Sequence, residues 1–229
     1  MTRVMAEQDT RTKILEAALE LFRERGFAEA TMREIASRAG VASGLAYYYF
    51  DSKDAIVLAF YQRAQEELAP QMAAAQTGKT LKDRLKAMIE ARLNYFEPNR
   101  RFLGALMAHA ANPGSPLSPF GEPSAEIRER EFARIQRAID ETGTAVPKDL
   151  AARMPKILWM YQLGLLLFWI YDQSPKQART HALIDKSLGL VITLLRLSNV
   201  PLLRPARRTV MDIVEILEGE PVSGRPATP

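Results

Sequence analysis

Cysteine is absent from this 229-residue chain. That removes disulfides, thiolate metal sites and a cysteine nucleophile together. Two histidines, His109 and His181, are too few for a His-rich metal centre. Long apolar runs are missing too. The most continuously apolar stretch, Ile157 to Tyr171, has 15 residues and includes Gln162 and Gly164. A bilayer span needs roughly 20 apolar residues, so this stretch reads as a helix buried in protein, and no membrane partner is expected. Met1 to Lys13 is polar and charged, which is not the pattern of a secretory signal. A reducing, cytoplasmic location is the expectation. Excess charge is also modest, at +4 for the whole chain. Residues 1–53 carry eight Lys/Arg and eight Asp/Glu, so any nucleic-acid reading must rest on local geometry.

What is present reads as helix nearly throughout. The composition, 47% hydrophobic and 25% charged, is that of an ordinary globular protein, and a chain this long can bury a core without covalent staples. The first helix is predicted over about Thr10–Arg25, with Ile14, Leu15, Ala18, Leu21 and Phe22 on one face. Gly26 then ends it. Thr31-Met32-Arg33-Glu34 has the spacing of a capping box and opens a second helix. Gly40 stops that helix. A short third helix follows over Ala42–Phe50, and Asp51-Ser52 cap a fourth over 53–76, bent or ended early by Pro70. Further helices are predicted over Thr80–Glu97, Asn99–Ala111, Ser124–Thr142, Pro147–Asp172 with a kink at Pro155, and Ser174–Leu197. A last helix is expected at Ala206–Glu218, then a flexible tail at 221–229.

The stretch Thr31 to Lys53 is the informative one. Two short helices separated by Ala39-Gly40-Val41 make a helix-turn-helix. An α-helix fits the major groove of B-DNA, so one short helix must project from a small packed scaffold. The third helix carries Ser43, Gly44, Leu45 and then Tyr47-Tyr48-Tyr49. Three consecutive tyrosines point around a helix and cannot all face one core. Phenol hydroxyls can donate to phosphates, and small residues let backbone come close. The plainer alternative is that the tyrosines cover the core of a small domain. Lys53, at the start of the fourth helix, is placed for a phosphate contact.

Residues 11–60 resemble the N-terminal domain of the TetR family of bacterial transcription regulators. The resemblance rests on Ile14-Leu15-Glu16-Ala17-Ala18, Leu21-Phe22, Gly26-Phe27, Thr31 through Ala36, Ala39-Gly40-Val41, Tyr47 with Phe50, and Ser52-Lys53-Asp54-Ala55. It implies an all-α protein: an N-terminal three-helix helix-turn-helix domain (1–55), a larger C-terminal helical ligand-binding and dimerisation domain (56–220), and the tail. It implies double-stranded DNA with a two-fold symmetric operator as partner. It assigns a phosphate contact to Thr31, base edge or backbone to Arg33, the groove-facing helix start to Ser43, Gly44 and Leu45, backbone or base edges to Tyr47, Tyr48 and Tyr49, and a phosphate clamp to Lys53. Ser43, Leu45-Ala46 and Asp51 depart from the common pattern, leaving fewer long polar side chains for direct base readout. Arg33 and a flexible arm with Arg3 and Arg11 gain weight in consequence.

The helices near 150–172 and 175–197 are apolar nearly all round. Trp159, Leu163, Leu166 and Ile170 share one side of the first, and Met160, Gly164, Leu167 and Tyr171 another. A helix buried on two sides needs two partners, which points to a homodimer through a four-helix bundle; the alternative is a monomer covered by its last helix. Phe96, Leu103, Met107, Phe132, Trp159, Gln162, Leu163, Leu166 and Trp169 are candidates to line a cavity for a small apolar or aromatic effector. For each singly, ordinary core packing competes. The effector would act by favouring one spacing of two reading heads that must sit about 34 Å apart, giving a repressor released by ligand. An activator, or a protein-interaction module without an effector, is the alternative. No cofactor or metal is expected. No catalytic array is visible: Glu131, Asp172 and Asp185 read as helix-surface charges, so an enzyme is not expected.

Overall fold

The computed structural model describes residues 2–112, 114–198, 205 and 209. Helix α1 spans Thr2–Arg25, eight residues longer at its start than the apolar periodicity predicts. Local polar pairs follow in its second and third turns, Lys13 to Asp9 at 2.6 Å and the Thr12 hydroxyl donating to the Gln8 carbonyl at 2.9 Å. The expected arm around Arg11 is therefore helix, and the Arg11 guanidinium lies 4.9 Å from the Phe50 ring centroid. The predicted inner face is buried throughout. Gly26, at φ +91°, takes the left-handed position that ends α1.

Helix α2 spans Met32–Arg38. Its capping box is reciprocal: the Thr31 amide donates to Glu34 Oε2 at 2.9 Å, and the Glu34 amide donates to Thr31 Oγ1 at 3.3 Å. Arg38 reaches back to Glu24 at 2.9 Å and pins α2 onto α1. Gly40, at φ +69°, turns the chain into α3, Ser43–Tyr49. Helix α4 spans Lys53–Glu67, with the Ala55 amide donating to the Ser52 hydroxyl at 3.1 Å. It stops at Leu68, and α5, Ala69–Ala75, begins with Pro70 in its first turn. A first-turn proline loses no helical hydrogen bond, so a break costs less than a proline inside one long helix.

Helices α6 (Leu81–Phe96), α7 (Arg100–Ala110), α8 (Ala125–Glu141), α9 (Lys148–Ala151), α10 (Met154–Tyr171) and α11 (Ala178–Leu197) complete the described chain. The kink predicted at Pro155 is instead a break at 152–153, again with the proline in a first turn. No strand occurs among the described residues. The expected helix at Ala206–Glu218, apart from Thr209, and the tail at 221–229 lie outside them. So does the Arg3 side chain.

Helix α8 packs on α10, α6 lies against α8 and α11, and α1 touches both α4 and α7. The junction between the N-terminal helices and the larger bundle is aromatic. Phe22 of α1 stacks on Phe102 of α7 at 5.2 Å, Phe102 meets Phe60 of α4 at 6.4 Å, and Phe60 meets Phe96 of α6 edge-on at 5.8 Å. Each such pair adds about 0.5–1.5 kcal/mol beyond the area it buries.

Candidate functional site

Helix α3 buries only Ala46. Ser43 and Gly44 are exposed, Leu45 is 40% exposed, Tyr47 51% and Tyr48 77%. Tyr49 is half-buried and receives the Tyr48 ring edge-on at 5.3 Å. Tyr47 and Tyr48 therefore do not cover a core. They form a rim of phenol hydroxyls on a helix packed against α2 and followed by the buried Phe50.

The cations around this rim are mostly committed elsewhere. Lys13 pairs with Asp9, Arg25 with Glu34, and Arg38 with Glu20 and Glu24. Arg33 is exposed and has no ion-pair partner among the described residues. Thr31 is exposed, but its hydroxyl is engaged by Glu34 at 2.8 Å. Lys53 differs most from expectation. Its Nζ donates to the carbonyls of Phe27 at 2.6 Å and Ala28 at 3.1 Å, and lies 4.7 Å from the Phe27 ring centroid. Burial lowers its pKa, opposed by Asp54 and Glu29. It closes the turn after α1, and only its remaining N–H is left to face outward.

The effector candidates fall into local groups. Phe96 is buried in the aromatic junction against Phe60. Leu103 is buried and Met107 partly buried on α7. Trp169 is buried beneath Arg100, whose Nε donates to the Trp169 carbonyl at 3.1 Å. Phe132 of α8 meets Trp159 of α10 edge-on at 5.5 Å, and Leu163 and Leu166 pack half-buried beside the core. An open groove of about 430 Å³ is lined by Phe132, Gln136, Arg153, Pro155 and Lys156; of the candidates it contains Phe132 alone.

Two charges read as surface residues are buried. Glu131 is 4% exposed and is held by both Arg92 and Arg134. Burial pushes its carboxyl up, yet the two guanidinium groups win and hold it below the usual carboxylate range. Arg134 also donates to Gln65 of α4 at 2.6 Å, and Arg92 to Gln162 Oε1 of α10 at 2.7 Å. Gln162 is 4% exposed, and its Nε2 has no acceptor among the described residues. An unpaired buried donor costs about 1–3 kcal/mol. Asp172 is equally buried. Desolvation raises its pKa, but the Thr180 hydroxyl at 2.6 Å and the Ser174 and Thr180 amides, both at 2.9 Å, hold it well below the usual range. Asp185 is exposed as expected and pairs with Lys86 at 2.5 Å.

The outer sides of α10 and α11 are apolar and bare. Leu167 is 41% exposed and Tyr171 64%, while Leu190, Leu194 and Leu197 are 58%, 55% and 44% exposed. Nothing lies within 4 Å of where a Cβ on Gly164 would stand. No cluster of metal-ligating groups occurs among the described residues, and none of their helices is long and apolar enough to cross a membrane.

Known proteins share this architecture. Residues 14–60 match the family model for bacterial regulatory proteins of the tetR family, and residues 84–217 match the tetracyclin repressor-like C-terminal domain. The transcriptional regulator AcrR of Shigella flexneri is 24% identical over 201 residues, covering 82% of this chain and 93% of its own. FadR from Bacillus subtilis, solved with stearoyl-CoA, superposes with a TM-score of 0.63 at 20% identity, over 79% of this chain and 97% of that one. FadR from Thermus thermophilus, a repressor solved with lauroyl-CoA, gives 0.58 at 23% identity, over 78% and 93%. With a helix-turn-helix at one end, a matching tetracyclin repressor-like C-terminal domain over more than half its length, and relatives named as regulators, the chain belongs to the TetR family of DNA-binding transcriptional regulators.

Proposed function

We propose that this protein is a cytoplasmic homodimeric repressor that leaves a two-fold symmetric operator when a small molecule occupies its C-terminal domain. The observation that carries the DNA side is the outward rim of Tyr47 and Tyr48 on α3, a helix that commits only Ala46 to the core. In this reading Ser43, Gly44 and Leu45 meet the groove, Tyr47, Tyr48 and Tyr49 grip backbone or base edges, and Arg33 supplies the uncommitted cation. Thr31 presents the start of α2 to a phosphate. Lys53 contributes its remaining N–H while bracing the turn after α1. The division at 55/56 falls inside α4, so that helix transmits between reading head and effector domain.

Dimerisation is supported by the bare stripes on α10 and α11. Two copies meeting there form a four-helix bundle, and Gly164 lets the helices approach closely. Pairing also supplies two reading heads for a symmetric site. The effector is a small molecule with a substantial apolar body, in keeping with Phe132, Trp159, Leu163 and Leu166. The acyl-CoA complexes of the two FadR proteins agree with that class. Release follows only if ligand binds one head spacing better than the other.

A mobility-shift assay on the DNA upstream of the gene tests this, with Tyr48→Ala and Arg33→Ala as controls. The reading stands if wild type shifts the fragment and both variants do so more weakly. It falls if wild type shows no preference over unrelated DNA.

A further inference from the structure

The polar centre joining α4, α6, α8 and α10 is incomplete. Two guanidinium groups, Arg92 and Arg134, share one carboxylate, Glu131, which is held ionised between them. The group therefore carries one positive charge more than it neutralises. Beside it stands Gln162 Nε2, buried and without an acceptor. The orientation of that amide is fixed, because its oxygen takes the Arg92 N–H at 2.7 Å; turning it over would set donor against donor. Surplus positive charge and a spare donor at one point ask for the same thing, an anionic oxygen.

A groove opens on the α8–α10 side, next in sequence to Glu131. The groove of about 430 Å³ is lined by Phe132 together with Arg153, Lys156 and Glu129. Phe132 follows Glu131 directly in α8. Its ring meets Trp159, which stands one turn before Gln162 in α10. A ligand entering from the groove would have to part the Phe132 and Trp159 rings to reach Gln162. The volume suits a small ligand.

We infer that the effector is a free organic carboxylic acid with an apolar body, its carboxylate accepting from Gln162 Nε2 and Arg92 and its body lying between Phe132 and Trp159. This rests on the regulator reading above and names the ligand class for it. The incoming carboxylate competes with Glu131 for Arg92. Glu131 then turns to Arg134, which holds Gln65 of α4, so the site is wired to the helix that begins at the reading head.

The test uses the full-length protein with octanoate and phenylacetate, each against its alcohol, octan-1-ol and 2-phenylethanol, and with octanoyl-CoA. Binding is read by calorimetry and by fluorescence of the tryptophans, one of which is Trp159. At least one acid is expected to bind wild type tenfold or more tightly than its alcohol. Gln162→Leu should erase that preference by weakening acid binding at least tenfold more than alcohol binding, and Gln162→Glu should weaken acid binding by placing a fixed anion beside Arg92. The inference is overturned if neither acid binds, if alcohols match acids on wild type, if Gln162→Leu keeps the acid preference, or if octanoyl-CoA binds more tightly than octanoate. The acid–alcohol comparison on wild type needs no variant to fold. Operator release run in parallel separates the failures. Release by the thioester or an alcohol removes the carboxylic acid and keeps the regulator; absence of DNA binding removes the regulator reading itself.

Discussion

Individual side chains in the reading head divide between holding the fold and facing outward. Arg33 is exposed and uncommitted, so Arg33→Ala should reduce the slope of log affinity against log salt by about 1 while leaving stability unchanged. Affinities measured across a salt series check this. Lys53 is tied to two backbone carbonyls, so Lys53→Ala should lower stability as well as DNA affinity, by about 1 kcal/mol; denaturant unfolding reads the first effect and a mobility shift the second. Glu131 poses a sharper case. Removing a partner from a buried pair strands charge, so Glu131→Gln should cost about 3 kcal/mol, or roughly 6–12 °C in Tm for a chain of this size. Its pH dependence has a definite sign. The folded pKa lies below the unfolded value of about 4.3, so the stabilisation is complete above that value and is lost as pH falls through the folded one. Wild-type Tm should fall on acidification from pH 5 to pH 3, and the Gln variant should show a shallower fall.

Among the helices, side-chain caps set the starts of α2, α4 and α6. Thr31 with Glu34 and Thr80 with Asp83 form equivalent boxes at α2 and α6. Thr31→Ala and Thr80→Ala should each cost about 1 kcal/mol. Only the first should also weaken operator binding, and parallel unfolding and mobility-shift measurements distinguish them. These starts were legible in the sequence because a cap is a local pattern of four residues. The proline breaks before α5 and α10 were half-legible: Pro70 and Pro155 announce an interruption, but their neighbours decide whether the helix bends or restarts. The start of α1 at Thr2 was illegible, since its first turns offer no apolar period. Glu131 escaped for a different reason. It sits in Glu126-Ile127-Arg128-Glu129-Arg130-Glu131, which reads as a solvated face, and its partner Arg92 comes from another helix, 39 residues away. Burial set by a distant element leaves no local periodicity. The rim tyrosines were legible as unusual, and their exposure follows from Ala46 alone filling the inward side of α3.

For the molecule as a whole, the proposed pairing through α10 and α11 would control DNA affinity. Leu194→Asp places a carboxylate in the bare apolar stripe. It should convert the dimer to a monomer and lower operator affinity by about a hundredfold, because two heads bound in one complex gain that much from linkage; light scattering with size exclusion checks the first and a mobility shift the second. The aromatic junction has a separate consequence for anyone recombining such proteins. Phe22 finds its ring partner in Phe102, on a helix beyond the point where the reading head ends, and Phe102 in turn meets Phe60. A hybrid that grafts the first 55 residues onto a foreign effector module loses that interlocking seam, so exchange of specificity between these regulators has to carry the facing rings along with the head.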